Sequence, residues 1–388
     1  MTALRGVEIP PFFAGHIGEQ AARRARRGLE VIAMHFGQPS EGASPAALAA
    51  ARAHLDGRLE GPAGYWESAP LRERIALHYR EQHGVDVSAD RILLTTGASA
   101  GLVATFTTLF AAGERVGLTR PGYPAYRNAL RALGRVPVEI DCGADQGFRL
   151  TPGLLPAATE PLHGLLVASP ANPTGTVLGA ADLEALAVEC RRRDTRLISD
   201  EIYHGLTFER QAVTALQVEP EAIVINSFSK LFRMPGWRIG WLVAPESCVA
   251  GLHTHLINFF LTPPAIAQHA ALAAFDDLAL LRRSVATYAA NRARLLEALP
   301  TMGLAAIAPP EGAFYLYVDV AHLTSDSLAF CKALLADTGI ATAPGIDFDP
   351  VRGNGFIRLS FAISEREVER AIVLLRPWIS RLGERTDR

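Results

Sequence analysis

Short runs of β-forming residues alternate with helical patterns between about residues 45 and 275, and this alternation limits the fold more than any other feature. The clearest strand patterns lie at residues 91–95, 115–118, 165–169, 196–200 and 223–227. Helical patterns, such as those at 102–110 and 181–191, separate them. Such an order predicts an α/β fold with a mostly parallel sheet that is covered by helices on both faces. Ligands of these sheets bind at the carboxyl ends of the strands.

The pattern changes after residue 276. A long helix is predicted through residue 299, followed by strands near 314–318 and 357–361 and by further helices. This order indicates a second, smaller α+β unit. The N-terminal segment has a helical pattern near 17–27 and a strand pattern at 31–36, and the sequence alone allows it to pack on either unit.

The composition favours a small molecule as the partner of this chain. The 388 residues are 49% hydrophobic and 20% charged, with a formal net charge of −2, so there is no basic footprint for nucleic acid. No apolar run approaches the roughly 20 residues that span a bilayer, so no membrane association is expected. The four cysteines form no CxxC pair and the first thirty residues lack a signal-peptide pattern, which predicts a cytoplasmic protein.

Lysine is rare in this chain, since only Lys230 and Lys332 occur beside 36 arginines. Lys230 lies between small hydroxyl residues and a Trp-Arg pair that ends at Arg238. A lysine amine, unlike a guanidinium, loses its proton when it is desolvated and then attacks carbonyl carbon to form a Schiff base. We therefore interpret Lys230 as a nucleophile.

Polar motifs follow several of the predicted strands, where ligands of a parallel sheet bind. The segment Gly97-Ala98-Ser99 opens a helix, so its backbone N–H groups and the Ser99 hydroxyl are suited to a phosphate. Tyr123 lies in a Pro-Gly-Tyr-Pro turn that could direct its ring into the cleft. Each motif also has an ordinary structural interpretation, as a helix cap or a packed turn.

The later strands end in groups that suit a phosphorylated carbonyl compound. Asn172, held between two prolines, can direct an amide donor at a ligand oxygen. Asp200 ends a buried-looking strand three residues before Tyr203, and a buried carboxylate needs a cation such as a protonated pyridine nitrogen. Ser227, Lys230 and Arg238 follow within a dozen residues.

The order of these motifs resembles that of the class I/II aminotransferases, which are pyridoxal-phosphate enzymes of fold type I. The resemblance covers residues 9–382. It implies transfer of an amino group between an L-amino acid and a 2-oxo acid, with pyridoxal 5'-phosphate as cofactor and no metal. It also implies a homodimer with active sites at the subunit interface. The implied architecture is a large domain at 45–280, with a mostly parallel seven-stranded sheet, and a small domain built from 1–44 and 281–388.

The resemblance assigns roles residue by residue. Lys230 would form the aldimine with the cofactor. Once the incoming amine displaces it, Lys230 would act as the base, and the reaction would pass through a pyridoxamine intermediate. Asp200 would pair with the pyridinium nitrogen, and Tyr203 and Asn172 would hold the phenolate oxygen. The residues implied around the phosphate and ring are Gly97, Ala98, Ser99, Ser227, Arg238 and, stacked on the ring, Tyr123. Those implied at the substrate are Gly37, Asn172 and Arg358, of which Arg358 would clamp the carboxylate.

Two positions depart from the family pattern. The family tyrosine that reaches the neighbouring subunit's phosphate is assigned to Tyr65, but the segment that follows is about three residues shorter, so Trp66 is the alternative. Arg233 stands where the family prefers a small residue, either as an extra cation near the phosphate or interface or as a solvent-facing side chain.

Other enzyme classes also have matching fragments. The sequence Gly97-Ala98-Ser99-Ala100-Gly101 spells the G-x-S-x-G nucleophile elbow of α/β-hydrolases, although the chain offers only His322 as a late histidine. Within pyridoxal-phosphate chemistry, a β-lyase of the C–S lyase kind is the main alternative to a transaminase, because both reactions begin by removing the Cα proton. Tyr203 directly after Asp200-Glu201-Ile202 resembles the transaminase branch more closely.

Overall fold

A seven-stranded sheet forms the centre of the protein in a computed structural model that describes residues 7–57 and 66–386. The strands in chain order are β1 (Ile32–Ala33), β2 (Ile92–Thr95), β3 (Arg115–Arg120), β4 (Val136–Asp141), β5 (Gly164–Ala168), β6 (Arg196–Asp200), β7 (Ile223–Ser227), β8 (Gly240–Val243), β9 (Ala305–Ala306), β10 (Tyr315–Asp319), β11 (Ile340–Ala341), β12 (Ala343–Pro344) and β13 (Phe356–Ser360). The helices are α1 (Phe13–Arg26), α2 (Pro45–Leu55), α3 (Ala69–His83), α4 (Ala98–Leu109), α5 (Pro124–Ala132), α6 (Ala180–Arg192), α7 (Glu246–Phe260), α8 (Ala265–Ala274), α9 (Leu278–Ala298), α10 (Ser327–Thr338) and α11 (Glu365–Thr386).

The central sheet has the strand order β2-β8-β7-β6-β5-β3-β4. Strands β3 to β7 pair in parallel, whereas β8 pairs antiparallel with both β2 and β7. The predicted mostly parallel α/β fold is therefore confirmed, and the five predicted strands agree with the observed ones to within one or two residues.

The register of the parallel strands brings their carboxyl ends together. Ala168 pairs with Asp200, and Asp200 pairs with Ile225, so the loops that follow β5, β6 and β7 leave the same edge of the sheet. These strands are almost entirely buried, which explains their continuous apolar sequence. The motifs recognised in the sequence thus converge on one edge.

A second, antiparallel sheet of four strands has the order β12-β13-β10-β9. It lies in the C-terminal part of the chain, which also includes α9, α10 and α11. The N-terminal segment joins this part, because β1 pairs in parallel with β11 through Ile32 with Ile340 and Ala33 with Ala341. The predicted strand at 31–36 is shorter than expected, since its partner has only two residues. The domain limits at 45 and 281 stay a prediction, and this pairing agrees with a small unit built from both termini.

Along residues 7–57 and 66–386, no helix has both the length and the apolar character that crossing a bilayer requires.

Candidate active site

A cavity of about 400 Å³ opens at the carboxyl ends of the central strands. Side chains from both sheets line it, so the N-terminal segment and the C-terminal part complete a site that the central sheet begins. The lining residues are Phe12, Phe36, Gly37, Gln38, Ala98, Ser99, Leu102, Tyr123, Tyr126, Asn172, Asp200, Ile202, Tyr203, Ser229, Lys230, Pro235, Arg238, Tyr315 and Arg358.

Lys230 follows β7 and projects its amine into this cavity. The Nζ atom donates a hydrogen bond of 2.5 Å to the carbonyl oxygen of Gly37. Burial, reinforced by the positive charge of Arg358, lowers the pKa of Lys230 to about 8, against an opposing effect of Asp200. The lowered pKa increases the neutral fraction of this amine near physiological pH, and a nucleophile or base must be neutral.

Asp200 ends β6 at the floor of the cavity and is 3% exposed. Its Oδ2 atom accepts a hydrogen bond of 2.6 Å from the Tyr126 hydroxyl, and its Oδ1 atom accepts one of 3.1 Å from the amide of Ile202. Burial raises the pKa of Asp200 to about 6, although both hydrogen bonds and Lys230 oppose this rise. A cation placed against the carboxylate would stabilise its ionised form.

Two tyrosines meet beside Lys230. The hydroxyls of Tyr203 and Tyr315 lie 2.6 Å apart, and burial raises the pKa of each above its usual range. The Lys230 ammonium lies 5.5 Å from the centre of the Tyr203 ring. Gly37 is required here, because a Cβ at this position would lie 1.6 Å from the Tyr315 hydroxyl oxygen.

The amino end of α4 forms another wall of the cavity. Gly97 precedes the helix with a φ of +75° and no side-chain cap, so the first N–H groups of α4 are left to a ligand. A Cβ on Gly97 would lie 2.2 Å from Nη2 of Arg238, which is therefore packed directly against this turn. Backbone donors and a guanidinium meeting at a helix amino end make a site for an anion such as phosphate.

Arg358 is a buried guanidinium on β13 with 2% exposure. Its Nη1 donates to Oδ1 of Asn172 at 2.8 Å, and its Nη2 donates to the carbonyl oxygen of His35 at 2.6 Å. The guanidinium lies 4.3 Å from the centre of the Tyr315 ring and 4.7 Å from the centre of the Phe348 ring. The buried Nε atom has no hydrogen-bond partner within the described part of the chain. Such a buried cation is suited to a ligand carboxylate.

The structure brings most of the predicted site residues together. Those that line the cavity are Gly37, Ala98, Ser99, Tyr123, Asn172, Asp200, Tyr203, Lys230, Arg238 and Arg358. Gly97 borders it through Arg238, and Ser227 lies behind it, buried and hydrogen-bonded to Ser229 at 2.9 Å.

The two departures from the family pattern have different outcomes. Tyr65 lies outside the described residues. Trp66, the alternative, packs against His269 with 5.6 Å between ring centres and does not line the cavity. Arg233 is neither a solvent-facing residue nor part of this cavity, because it is buried and forms an ion pair with Glu41.

Sequence reasoning missed several residues of the site. Tyr126 and Tyr315 were not recognised, although both make hydrogen bonds to predicted residues, and neither follows a predicted strand directly. Ser229 lines the cavity in place of Ser227, and Phe36 and Gln38 flank Gly37. Tyr126 lies on α5, three residues after Tyr123, so the same-face spacing of a helix was the available signal.

The fold and the site together define the class of this protein. The chain matches the family described as Aminotransferase class I and II over residues 30–375, and it belongs to this family. It is therefore an aminotransferase, an enzyme that moves an amino group between an amino acid and a 2-oxo acid. This membership rules against the hydrolase interpretation of Gly97-Ala98-Ser99-Ala100-Gly101.

Individual relatives agree with this assignment. The chain is 44% identical over 375 residues to the valine–pyruvate aminotransferase of Mycobacterium tuberculosis, covering 96% of this chain and 97% of the relative. An aminotransferase structure from Mycobacterium tuberculosis superimposes with a TM-score of 0.93 at 44% identity, covering 98% of this chain and 99% of that one. The aspartate aminotransferase structure of Thermus thermophilus gives a TM-score of 0.86 at 29% identity, covering 96% and 100%.

Proposed function

We propose that this aminotransferase binds pyridoxal 5'-phosphate in the cavity at the strand ends, with Lys230 as the residue that holds the cofactor covalently and moves the substrate proton. The main support for this proposal is that one cavity contains both a lysine amine with a lowered pKa and the buried carboxylate of Asp200. The amine is suited to react with the aldehyde of pyridoxal phosphate, and the carboxylate is suited to pair with its protonated ring nitrogen.

Three features of the cavity fit this cofactor. Asp200 is buried and would be stabilised by the protonated ring nitrogen. The amino end of α4 and Arg238 supply the donors that a phosphate needs, and Ser99 and Ser229 line the same cavity. Oδ1 of Asn172 is engaged by Arg358, which leaves its amide nitrogen to donate to a phenolate oxygen.

Pyridoxal phosphate, when bound, supplies an electron sink for the pair released from the substrate Cα–H bond. The residues of the chain do the rest. Asp200, once ionised, keeps the ring nitrogen protonated, and Tyr123 lines the cavity where its ring can cover the ring of the cofactor. Arg358 binds the substrate carboxylate, and Lys230, with its lowered pKa, accepts the Cα proton and returns it to a neighbouring carbon.

The amino donor in this proposal is an amino acid with one carboxylate and an apolar side chain, and the acceptor is a small 2-oxo acid such as pyruvate. Three described cations line the cavity, and the proposal already uses each of them: Lys230, Arg238 and Arg358. A second substrate carboxylate therefore finds no further described cation there, whereas Phe12 and Phe36 offer apolar surface. The name of the 44% identical relative, a valine–pyruvate aminotransferase, supports the same class.

The scarcity of lysine makes a clean test. After borohydride reduction of the purified protein, the cofactor should be found on the peptide that contains Lys230, and Lys230→Ala should lose both the label and about 10³-fold or more of its activity. Lys332→Ala, which removes the only other lysine, should keep both. Label on Lys332, or on neither lysine, would refute the proposal.

Incubation with single amino acids separates transamination from its alternative. Conversion of valine to its 2-oxo acid, with stoichiometric amino-group transfer to pyruvate, supports the proposal. Release of ammonia and pyruvate from a cysteine-type substrate, without amino transfer, would indicate the β-lyase instead.

The proposal includes a homodimer in the cytoplasm. Large apolar side chains remain exposed on the single chain, including Leu55 at 74% and Phe259 at 59%, and a subunit interface would cover such surface. All four cysteines are free, and three of them are buried, as is usual in a reducing compartment. Light scattering at micromolar concentration tests the dimer, and a mass near 41.7 kDa would contradict it.

A further inference from the structure

The first turn of α1 is capped by a carboxylate from the other end of the chain. Phe12 precedes the helix and provides no side-chain cap. Instead, the amides of Phe13 and Ala14 donate hydrogen bonds of 2.8 Å each to Oδ1 and Oδ2 of Asp347. Asp347 is only 3% exposed. An anion at this position satisfies two N–H groups that the helix leaves unpaired and also meets the positive end of the helix dipole.

This cap fixes the position of Phe12, the residue directly before the capped turn. The ring of Phe12 lines the cavity and meets Tyr123 edge-on, with 6.4 Å between ring centres and an interplanar angle of 89°. The carbonyl oxygen of Phe12 accepts a hydrogen bond from the amide of Gly15, so its backbone is part of the same turn. A shift of the first turn of α1 therefore moves an aromatic wall of the cavity.

The loop that supplies Asp347 also supports the carboxylate-binding residue. The ring of Phe348, the next residue, lies 4.7 Å from the guanidinium of Arg358. A side chain on α5 also holds this loop, because Arg127 donates a hydrogen bond of 2.7 Å to the carbonyl oxygen of Asp347. The segment of Asp347 and Phe348 therefore contacts both Arg358, which would hold the substrate carboxylate, and the turn that positions Phe12, which would face the substrate side chain.

We propose that Phe12 determines how large a substrate side chain the site accepts, and that Asp347 is the positioning residue that holds Phe12 in place relative to Arg358. The inference rests on the proposed function, since it takes Arg358 as the carboxylate site. With the carboxylate held at Arg358 and Cα within reach of Lys230, the substrate side chain extends toward the remaining apolar wall. The aromatic ring of Phe12 then favours compact aliphatic side chains and excludes bulky ones.

Selectivity between donors tests the role of Phe12. Phe12→Ala should raise kcat/KM for phenylalanine relative to valine by about tenfold or more, because each methylene of a hydrophobic pocket discriminates by roughly 10-fold to 200-fold. Phe13→Ala is the matched control, since Phe13 lies beside Phe12 but does not line the cavity. An unchanged ratio in Phe12→Ala, or an equal change in Phe13→Ala, would overturn the inference.

Asp347→Asn tests the positioning role, because the amide can accept from only one of the two N–H groups. The variant should shift the valine-to-phenylalanine ratio in the same direction as Phe12→Ala, and hydrogen exchange at the amides of Phe13 and Ala14 should become at least about tenfold faster. Asp349→Asn is the control, since Asp349 is equally buried but contacts Arg120 and Arg352 rather than α1.

The outcomes separate the two proposals. Transamination by the wild-type enzyme, with a donor ratio that neither Phe12→Ala nor Asp347→Asn changes, refutes this inference and leaves the proposed function intact. Absence of amino transfer with every donor refutes the proposed function itself. Equal exchange rates at the amides of Phe13 and Ala14 in Asp347→Asn and Asp349→Asn would show that Asp347 does not hold the first turn of α1, whatever the activity.

Discussion

The hydroxyl of Tyr126 donates a hydrogen bond of 2.6 Å to Oδ2 of Asp200, and both groups are buried. This bond favours the ionised carboxylate and so opposes the rise in the pKa of Asp200 that burial causes. Because an ionised Asp200 is what a protonated ring nitrogen needs, Tyr126 acts on the reaction through Asp200 rather than on the substrate.

Replacing Tyr126 by Phe should therefore raise the pKa of Asp200 and move the acid limb of the kcat/KM profile to higher pH. The loss should be greatest at the acid end of the profile, at about tenfold, since a hydrogen bond to a charged group contributes roughly 1.5–3 kcal/mol. The cofactor should also dissociate more readily, which equilibrium dialysis measures without any turnover. Tyr79→Phe, which removes a buried hydroxyl that accepts from Trp241, should leave both quantities unchanged. Parallel pH profiles for the wild type and Tyr126→Phe would show that the bond has no such role.

A methyl group at position 37 should disable the site without unfolding the protein. In Gly37→Ala the new Cβ would lie 1.6 Å from the Tyr315 hydroxyl oxygen, and Tyr315 is held by its contact with Tyr203. We expect kcat/KM to fall at least about 100-fold, while overpacking costs roughly 1–3 kcal/mol of unfolding free energy. Gly42→Ala lies in the same segment with open space around it and should behave as the wild type in both assays. Full activity in Gly37→Ala would mean that Tyr315 is free to move.

Arg358→Lys keeps the positive charge but removes the planar fork. The lysine cannot reproduce the hydrogen bonds to both Asn172 and the carbonyl oxygen of His35, and it offers a carboxylate only a point charge. KM for the amino donor should rise at least about tenfold, with a smaller effect on kcat, as steady-state kinetics would show. Arg292→Lys changes a guanidinium that also lies over an aromatic ring, 5.3 Å from the centre of Phe208, and serves as the control. An unchanged KM would remove Arg358 from the substrate site.

A chain of neighbouring histidines, His78, His83 and His204, should make the protein sensitive to acid. Burial lowers the pKa of His78 to about 3 and those of His83 and His204 to about 4, below the ordinary 6.5. Between pH 6.5 and 4 the unfolded chain therefore binds more protons at these groups, and their contribution to stability is lost as the pH falls. Burial raises the pKa of Glu201 from 4.5 to about 7. Between these values the folded protein binds more protons at this carboxyl than the unfolded chain does, so Glu201 opposes the loss of stability that the histidines cause.

Replacing His204 tests the contribution of the histidine that lies 3.3 Å from Glu201. His204→Gln removes one titrating imidazole, so its unfolding free energy in urea should fall less between pH 7 and pH 5 than that of the wild type, by up to about 2 kcal/mol. His16→Gln, on the exposed side of α1, should follow the wild-type curve. A steeper loss of unfolding free energy in His204→Gln would show that the buried imidazole does not destabilise the folded protein at acid pH.

Much of the sheet and of the cofactor side of the cavity could be predicted, because both depend on local sequence. Buried parallel strands have continuous apolar runs, and the residues that follow them, such as Asp200 and Asn172, lie at one edge as a consequence of topology. Strand β4 was missed because it is half exposed and contains Pro137. Strand β8 was missed because it has only four residues and directly follows the motif that ends at Arg238.

The substrate side could not be predicted in this way. Tyr315 reaches Tyr203 from the other sheet, and Asp347 reaches the amide of Phe13 from a loop near the opposite end of the chain. Nothing in the local pattern around any of these residues specifies its partner, because tertiary packing alone brings them together.

The parallel pairing of β1 with β11 also has a consequence for biosynthesis. A ribosome releases the N-terminal residues first, yet Ile32 pairs with Ile340 and the first turn of α1 depends on Asp347. The earliest part of the polypeptide must therefore wait, without its native partners, until almost all of the rest has been translated. A nascent chain arrested before residue 340 would carry the complete central sheet with Lys230 and Asp200. It would also carry Phe12, but without Asp347 to cap the turn that positions this ring and without Arg358.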